Sequence, residues 1–323
     1  MQSAGGHGDA ESFRAAALRR PCALAGWARH RGSHGAMLIA AQALEDTRLV
    51  HAAFTTRRGG VSGGVYRSLN LAYAVGDAAD AVATNRRRLA GALGVAAGAL
   101  AEAEQVHGNG VAVLDGPGPL RAAGDSPPIP GVDALITDAA GLWLVIYAAD
   151  CVPVLVLDPR RPAIAAAHAG WRGVAAGVVL ATLDRMCRAF ATDLGRCIVV
   201  LGPAIGGCCY EVDLPVARAM EGAPWWPLAA HCSRPGRWQL DLRAAIRHQL
   251  HAMGVPKERV TALPYCTACR PDLFFSYRRD GVTGRMAACI SLRAALSRGI
   301  ARHPSNKARA VSHGLRRPST GGT

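Results

Sequence analysis

Three short segments each set a metal-capable side chain beside glycine or at the end of an apolar run. They are Gln105-Val106-His107-Gly108, Ala149-Asp150-Cys151-Val152-Pro153 and Ala167-His168-Ala169-Gly170-Trp171-Arg172-Gly173. Two imidazoles and one thiolate form a borderline-soft donor set that suits zinc. Three protein ligands leave a fourth tetrahedral position for water or substrate, as catalytic rather than structural sites do. Spacing alone leaves other readings open. His107 and His168 are equally loop histidines and Cys151 a small core residue. Cys151 paired with either histidine would also serve as a thiolate nucleophile and its base, as in a hydrolase editing cell-wall peptide precursors.

Other residues fit around such a centre. Arg57 stands between a predicted strand and a glycine-rich turn, Arg172 at a predicted helix start, and Arg278 in a polar run, Ser276-Tyr277-Arg278-Arg279-Asp280. A guanidinium fork suits a phosphate, so these three are the candidate phosphate contacts, against surface or structural ion pairs. Asp150 beside a ligand is placed to orient a histidine, or to cap or pair locally. The turn Gly59–Gly64 lacks the lysine of a P-loop. Phe275 and Tyr277 offer aromatic faces for stacking, although core packing is the commoner fate of such rings. Cys266 and Cys269 have the spacing of a structural zinc ribbon, but Cys208 and Cys209 are adjacent in sequence, so packed thiols rather than a ribbon are the expectation for all four. His248 and His251 read as solvated residues of a helix.

The elements that must hold these groups alternate irregularly. Strands are predicted at 49–56, 110–115, 134–137, 142–148, 154–157, 164–167, 198–202 and 286–290, several of them apolar on both faces and therefore covered on both sides. Asp77 is placed to cap a helix running to Leu93, with Val82, Leu89 and Leu93 inward. Gly173–Phe190 and Asp241–Met253 follow the same period, and Gly254 stops the second. Strands in succession between 110 and 167 argue against a regular βαβ array and for an α+β sandwich.

Composition narrows the classes. Of 323 residues, 50% are apolar, enough for a core and too many for a chain disordered throughout. The most apolar run, Leu142–Leu157, is broken by Asp150 and Pro153, short of the roughly 20 residues of a membrane span. The net charge of +14 sits mostly in the tails: residues 1–36 hold five Arg against Asp9 and Glu11, and 298–323 hold six Lys or Arg and no acid. Basic tails attract polyanions weakly and without sequence preference, so no specific nucleic acid is expected as partner. Ten cysteines without a convincing secretory leader point to a reducing cytoplasm. Residues 1–36 and 299–323 lack periodicity and read as disordered extensions flanking one domain over 37–298, with Met37 an alternative start.

The chain resembles the YfiH or laccase-domain (polyphenol oxidase-like) family over about residues 50–292. The resemblance rests on the three segments above and on Thr55-Thr56-Arg57-Arg58-Gly59-Gly60-Val61-Ser62, Ser68-Leu69-Asn70-Leu71, Val75-Gly76-Asp77 and Asn85-Arg86-Arg87-Arg88-Leu89. It continues in Leu201-Gly202-Pro203-Ala204-Ile205-Gly206, Cys208-Cys209-Tyr210-Glu211-Val212, Cys266-Thr267 and Phe274–Gly281. It implies mixed sheets covered by helices in an α/β/β/α sandwich, and His107, Cys151 and His168 as zinc ligands and catalytic centre. It also implies phosphorolysis of adenosine, inosine, guanosine and S-methyl-5'-thioadenosine, with adenosine deamination beside it, so that the partners are a purine nucleoside and phosphate. In deamination zinc would lower the pKa of bound water toward about 7. Arg58, Gly207 and Ala149 stand where the family commonly has His, Pro and Thr, and none of these departures removes a ligand. Copper oxidation fits poorly, because the eleven histidines include no His-X-His pair and five lie in the tails.

Overall fold

The structure, a computed structural model, describes residues 29–31, 35–96, 99–116 and 127–293. Two six-stranded mixed sheets lie face to face. The first has the order β1 (Arg29–Arg31), β2 (Met37–Ala40), β3 (Val50–Thr55), β15 (Met286–Leu292), β7 (Trp143–Ala148), β4 (Leu100–Glu102). The second runs β14 (Val260–Ala262), β10 (Ile198–Leu201), β8 (Val152–Asp158), β9 (Ala163–Ala169), β6 (Ala134–Thr137), β5 (Val111–Leu114). A small third sheet joins β11 (Glu211–Asp213), β13 (Arg237–Leu240) and β12 (Ala230–Arg234).

Side-chain alternation explains why the sheets are sandwiched. Along β8, Leu155 and Leu157 face the first sheet, where they meet Phe54, Leu144, Ile146 and Ile290. Val152, Val154 and Val156 face the opposite way, onto the helices Val178–Phe190 and Leu242–Ala252. The outer face of the first sheet, with Val145, Ala287 and Cys289, packs against Leu69, Leu71 and Leu89, the last of these on the helix Ala79–Leu93. Helix, sheet, sheet, helix is therefore the layer order, and every residue of β8 and β9 is buried. Strand β9 carries Ala163, Ala165, Ala167 and Ala169 on its helix side, small enough for the helices to lie close. With a period of two, His168 continues the row of Ile164 and Ala166 that faces the other sheet.

Several sequence expectations change in detail. The helix expected over 173–190 is two, Trp171–Ala175 and Val178–Phe190, because Gly177 adopts φ +75° between them. Asp77 does not cap the helix Ala79–Leu93; its carboxylate instead accepts hydrogen bonds from Ser62 Oγ (2.6 Å) and Asn70 Nδ2 (2.9 Å). Asp241 does cap, accepting from the backbone N–H of Arg243 and Ala244. Within the stretch 1–36, for which composition predicts no order, residues 29–31 form an edge strand on β2; the rest up to residue 34, and the tail beyond 293, lie outside the described residues. No helix among the described residues is long and apolar enough to cross a membrane.

The interface between the sheets is one continuous apolar core. Replacing the fully buried Leu155 by Ala is expected to cost about 2–5 kcal/mol in urea denaturation. A loss below about 1 kcal/mol would show that the two sheets do not share one core.

Candidate metal centre

The chain crosses between the sheets at one end of the sandwich; two of the three expected ligands sit at such crossings and the third on the adjoining strand β9. His107 lies in the connection from β4 of the first sheet to β5 of the second, Cys151 in the tight link from β7 to β8, and His168 near the end of β9. One ligand atom from each, two imidazole nitrogens and the Cys151 Sγ, fall within 4.8 Å of one another. The two rings meet edge to face, with centroids 4.9 Å apart. Tetrahedral zinc with Zn–N of about 2.0 Å and Zn–S of about 2.3 Å needs donor separations of this order.

The backbone is bent to achieve this. Gln105, His107 and Asp150 all have positive φ, at 63°, 62° and 98°, a region non-glycine residues avoid. Gln105 pins its loop to β7: its amide donates to the Tyr147 carbonyl (2.6 Å) and accepts from the Tyr147 N–H (2.7 Å). Gly170 has to be glycine, because a Cβ there would lie 2.9 Å from the Cys151 Sγ and 3.2 Å from the His107 ring.

The residue that orients the histidines is Asp133, which sequence reading missed. Its fully buried carboxylate accepts from the backbone N–H of His107 (3.0 Å) and Gly108 (2.7 Å) and is 2.8 Å from His168 Nδ1. With Nδ1 so engaged, Nε2 of His168 is left for a metal. The only signal was an acidic residue directly before the apolar strand β6. Asp150, expected in that role, is turned elsewhere. Its carboxylate accepts from Thr267 Oγ1 (2.5 Å) and the Arg278 N–H (2.6 Å), and its carbonyl from the Ile205 N–H (2.9 Å).

Charge is shared across the triad. Burial alone would push the Cys151 thiol up, but the positive charge of His168 and hydrogen bonds from both imidazoles outweigh it and bring it down to about 6. Burial likewise opposes the His168 cation, yet Cys151 and Asp133 raise it to about 9. Burial also works against the Asp133 carboxylate, which the bonds from His168 and the two backbone N–H groups nevertheless hold below its ordinary value.

The three candidate arginines differ. Arg57 is spent on structure: it donates to the Arg67 and Pro271 carbonyls and lies 4.5 Å over the Phe275 ring. Arg172 is exposed, its guanidinium 4.3 Å from the Trp171 ring. Arg278 stacks 4.7 Å over Tyr210 and donates to the Glu211 carbonyl. The Arg278 N–H is bonded to Asp150, the neighbour of Cys151, and Arg172 follows Gly170, which lies against the Cys151 Sγ, so both arginines leave the backbone next to the triad. Arg285, not expected from sequence, is also within electrostatic reach of Cys151 and Asp150. Phe275 is fully buried and closed to a base, whereas Tyr277 is 61% exposed.

A family described as multi-copper polyphenol oxidoreductase laccase matches residues 51–293, and the chain belongs to it. Two relatives are named purine nucleoside phosphorylases. That of Streptomyces coelicolor is 44% identical over 242 residues, 75% of this chain and 95% of its own. YlmD of Geobacillus stearothermophilus is 41% identical over 249 residues, 75% and 90%. The crystal structure of YlmD from Geobacillus stearothermophilus superposes with a TM-score of 0.76 at 37% identity, covering 83% of this chain and all of that one. YfiH of Bacillus licheniformis gives 0.75 at 33%, covering 82% and 99%.

Two outcomes test the geometry. In chelator-treated protein, alkylation of Cys151 followed by peptide mass spectrometry should be half-maximal near pH 6, slowing below it as the thiolate takes up a proton. A midpoint at 8–9 would show that the histidines do not share its charge. Asp133→Asn should weaken zinc at this centre about 10- to 100-fold in competition with a chelator; unchanged affinity would remove Asp133 from the orienting role.

Proposed function

We propose that this protein is a zinc-dependent purine nucleoside phosphorylase of the reducing cytoplasm. Its substrates are adenosine, inosine, guanosine and S-methyl-5'-thioadenosine, with adenosine deamination as a companion activity. The observation that carries the reading is the convergence of His107, Cys151 and His168, in a chain whose relatives bear the phosphorylase name. The donor set fits zinc: one thiolate, two imidazoles, and a histidine whose other nitrogen is held by a carboxylate. The nine described cysteines form no disulfide, in keeping with a reducing compartment.

When bound, zinc supplies a Lewis acid that stabilises negative charge developing on the substrate. The chain's own groups do the rest. Arg172 and Arg278 offer guanidinium forks for a phosphate dianion, and the ring beneath each and the Glu211 carbonyl on Arg278 restrict where they point. Phosphate so held attacks ribose C1' while the bond to the purine breaks, and positioning a charged nucleophile supplies much of the acceleration. Arg285 adds positive potential beside Cys151. Tyr277 is the aromatic face open to a base.

A Cys151 thiolate beside two imidazoles is also what a cysteine hydrolase requires. Chelation separates the two readings. With inosine and phosphate, the zinc enzyme should release hypoxanthine and ribose 1-phosphate, lose turnover on chelation and regain it with zinc. Cys151→Ala should lose about 100-fold or more, and Arg172→Ala should raise KM for phosphate more than for inosine. Full turnover after complete chelation, or a normally active Cys151→Ala, would overturn the proposal.

A further inference from the structure

A second sulfur cluster lies outside the triad. Cys208, Cys209, Cys266 and Cys269 bring their four Sγ atoms within 4.8 Å of one another, with Cys209 to Cys269 at 3.4 Å and Cys208 to Cys269 at 3.7 Å. The four thiols, expected to be packed, are gathered into one cluster, and a turn is the reason. Cys209 N–H and Tyr210 N–H both donate to the Gly206 carbonyl, at 2.9 and 3.1 Å. In an extended strand adjacent cysteines point to opposite faces, whereas this turn aims both at the 266–269 loop.

We propose that these four cysteines bind a single divalent zinc ion as a tetrathiolate, a structural site separate from the His107–Cys151–His168 centre. Zn–S bonds of about 2.3 Å in a tetrahedron place sulfurs about 3.8 Å apart, close to the separations found here. Four protein sulfurs close the coordination shell, which suits a structural ion rather than a catalytic one. The surroundings are built for thiolates. The Gly206 N–H donates to the Cys266 Sγ at 3.2 Å, and the Cys269 N–H donates to the same sulfur across the Cys-Thr-Ala-Cys turn. Glycine at 206 leaves the room: a Cβ there would lie 3.2 Å from the Cys208 Sγ and 3.5 Å from the Cys266 Cβ.

Four thiolates and one Zn²⁺ carry a net charge of −2, and two arginines flank the loops that hold them. Arg279 donates to the Thr267 and Ala268 carbonyls inside the Cys266–Cys269 turn. Arg243 donates to the Leu263 and Tyr265 carbonyls, and its Nη2 approaches Gly206. The ion would clamp 204–209 to 265–269, segments already joined by the Ala204–Cys266 bridge. Thr267, between two of the ligands, donates to Asp150, the neighbour of Cys151, so the clamp braces the catalytic loop without touching substrate.

Metal content of the full chain, purified under reductant, tests this directly. Wild type should carry about two zinc equivalents. Cys209→Ser/Cys269→Ser should lose one and Cys151→Ala the other, so failure of the clamp and failure of the first centre are distinguishable. In cobalt-substituted protein, thiolate-to-cobalt charge-transfer intensity grows with the number of sulfur ligands. Loss of the clamp should leave about one fifth of it and Cys151→Ala about four fifths, five thiolates serving in all. If the double variant does not fold, wild-type stoichiometry and intensity still decide. A single equivalent with one-thiolate intensity, iron in place of zinc, or an unchanged metal content in the double variant would overturn the proposal.

Discussion

The centre depends on one buried carboxylate. A charge as fully covered as that of Asp133 is costly by several kcal/mol unless its lone pairs are taken. Here three donors take them: the N–H of His107, the N–H of Gly108 and the Nδ1 of His168. Those donors come from the crossing between β4 and β5 and from strand β9, so satisfying the carboxylate also fixes the distance between two prospective ligands. The His168 N–H in turn donates to the Asp133 carbonyl at 2.8 Å, which locks backbone and ring together. Removing the charge would loosen both histidines at once rather than one.

Around that anchor the chain accepts local strain. Left-handed backbone at Gln105, His107 and Asp150 costs of order 1 kcal/mol or more at each position, and it persists only where neighbouring contacts over-determine it. Those contacts can be named. Gln105 is bonded twice to Tyr147, His107 to Asp133, and Asp150 to Thr267, Arg278 and Ile205. The strain is concentrated where the polypeptide leaves one sheet for the other, and there it brings His107 and Cys151 against His168 of β9.

How legible this was in the sequence follows from the range of each interaction. The long buried strands β7, β8, β9 and β15 announce themselves as apolar runs, and the three ligand-bearing segments by donor type beside glycine. The short edge strands β4 and β14 and the sheet of β11, β12 and β13 carry too little alternation to show. The break at Gly177 was hidden because apolar periodicity runs straight through it. Asp133 was invisible for a different reason: its partners lie 25 to 35 residues away, and nothing local marks an acidic residue before a strand as buried. Adjacency of Cys208 and Cys209 argued against chelation only so long as the turn at Gly206 was unknown.

The laccase description of the family and the phosphorylase name of the relatives point to different chemistry, and the donor atoms of this chain favour the second. Multicopper centres draw on many histidines set in His-X-His pairs, and this chain has no such pair. Among the described residues the clusters able to hold a metal are two: one of two histidines and a cysteine, and one of four cysteines. Neither presents the crowd of imidazoles that several cooperating copper ions require. The first cluster has three protein donors and the second four, the numbers that suit an open and a closed coordination shell respectively. The exposed guanidiniums of Arg172 and Arg278 beside the open site are suited to an anionic co-substrate, which a phenol oxidase does not need and a phosphorylase does.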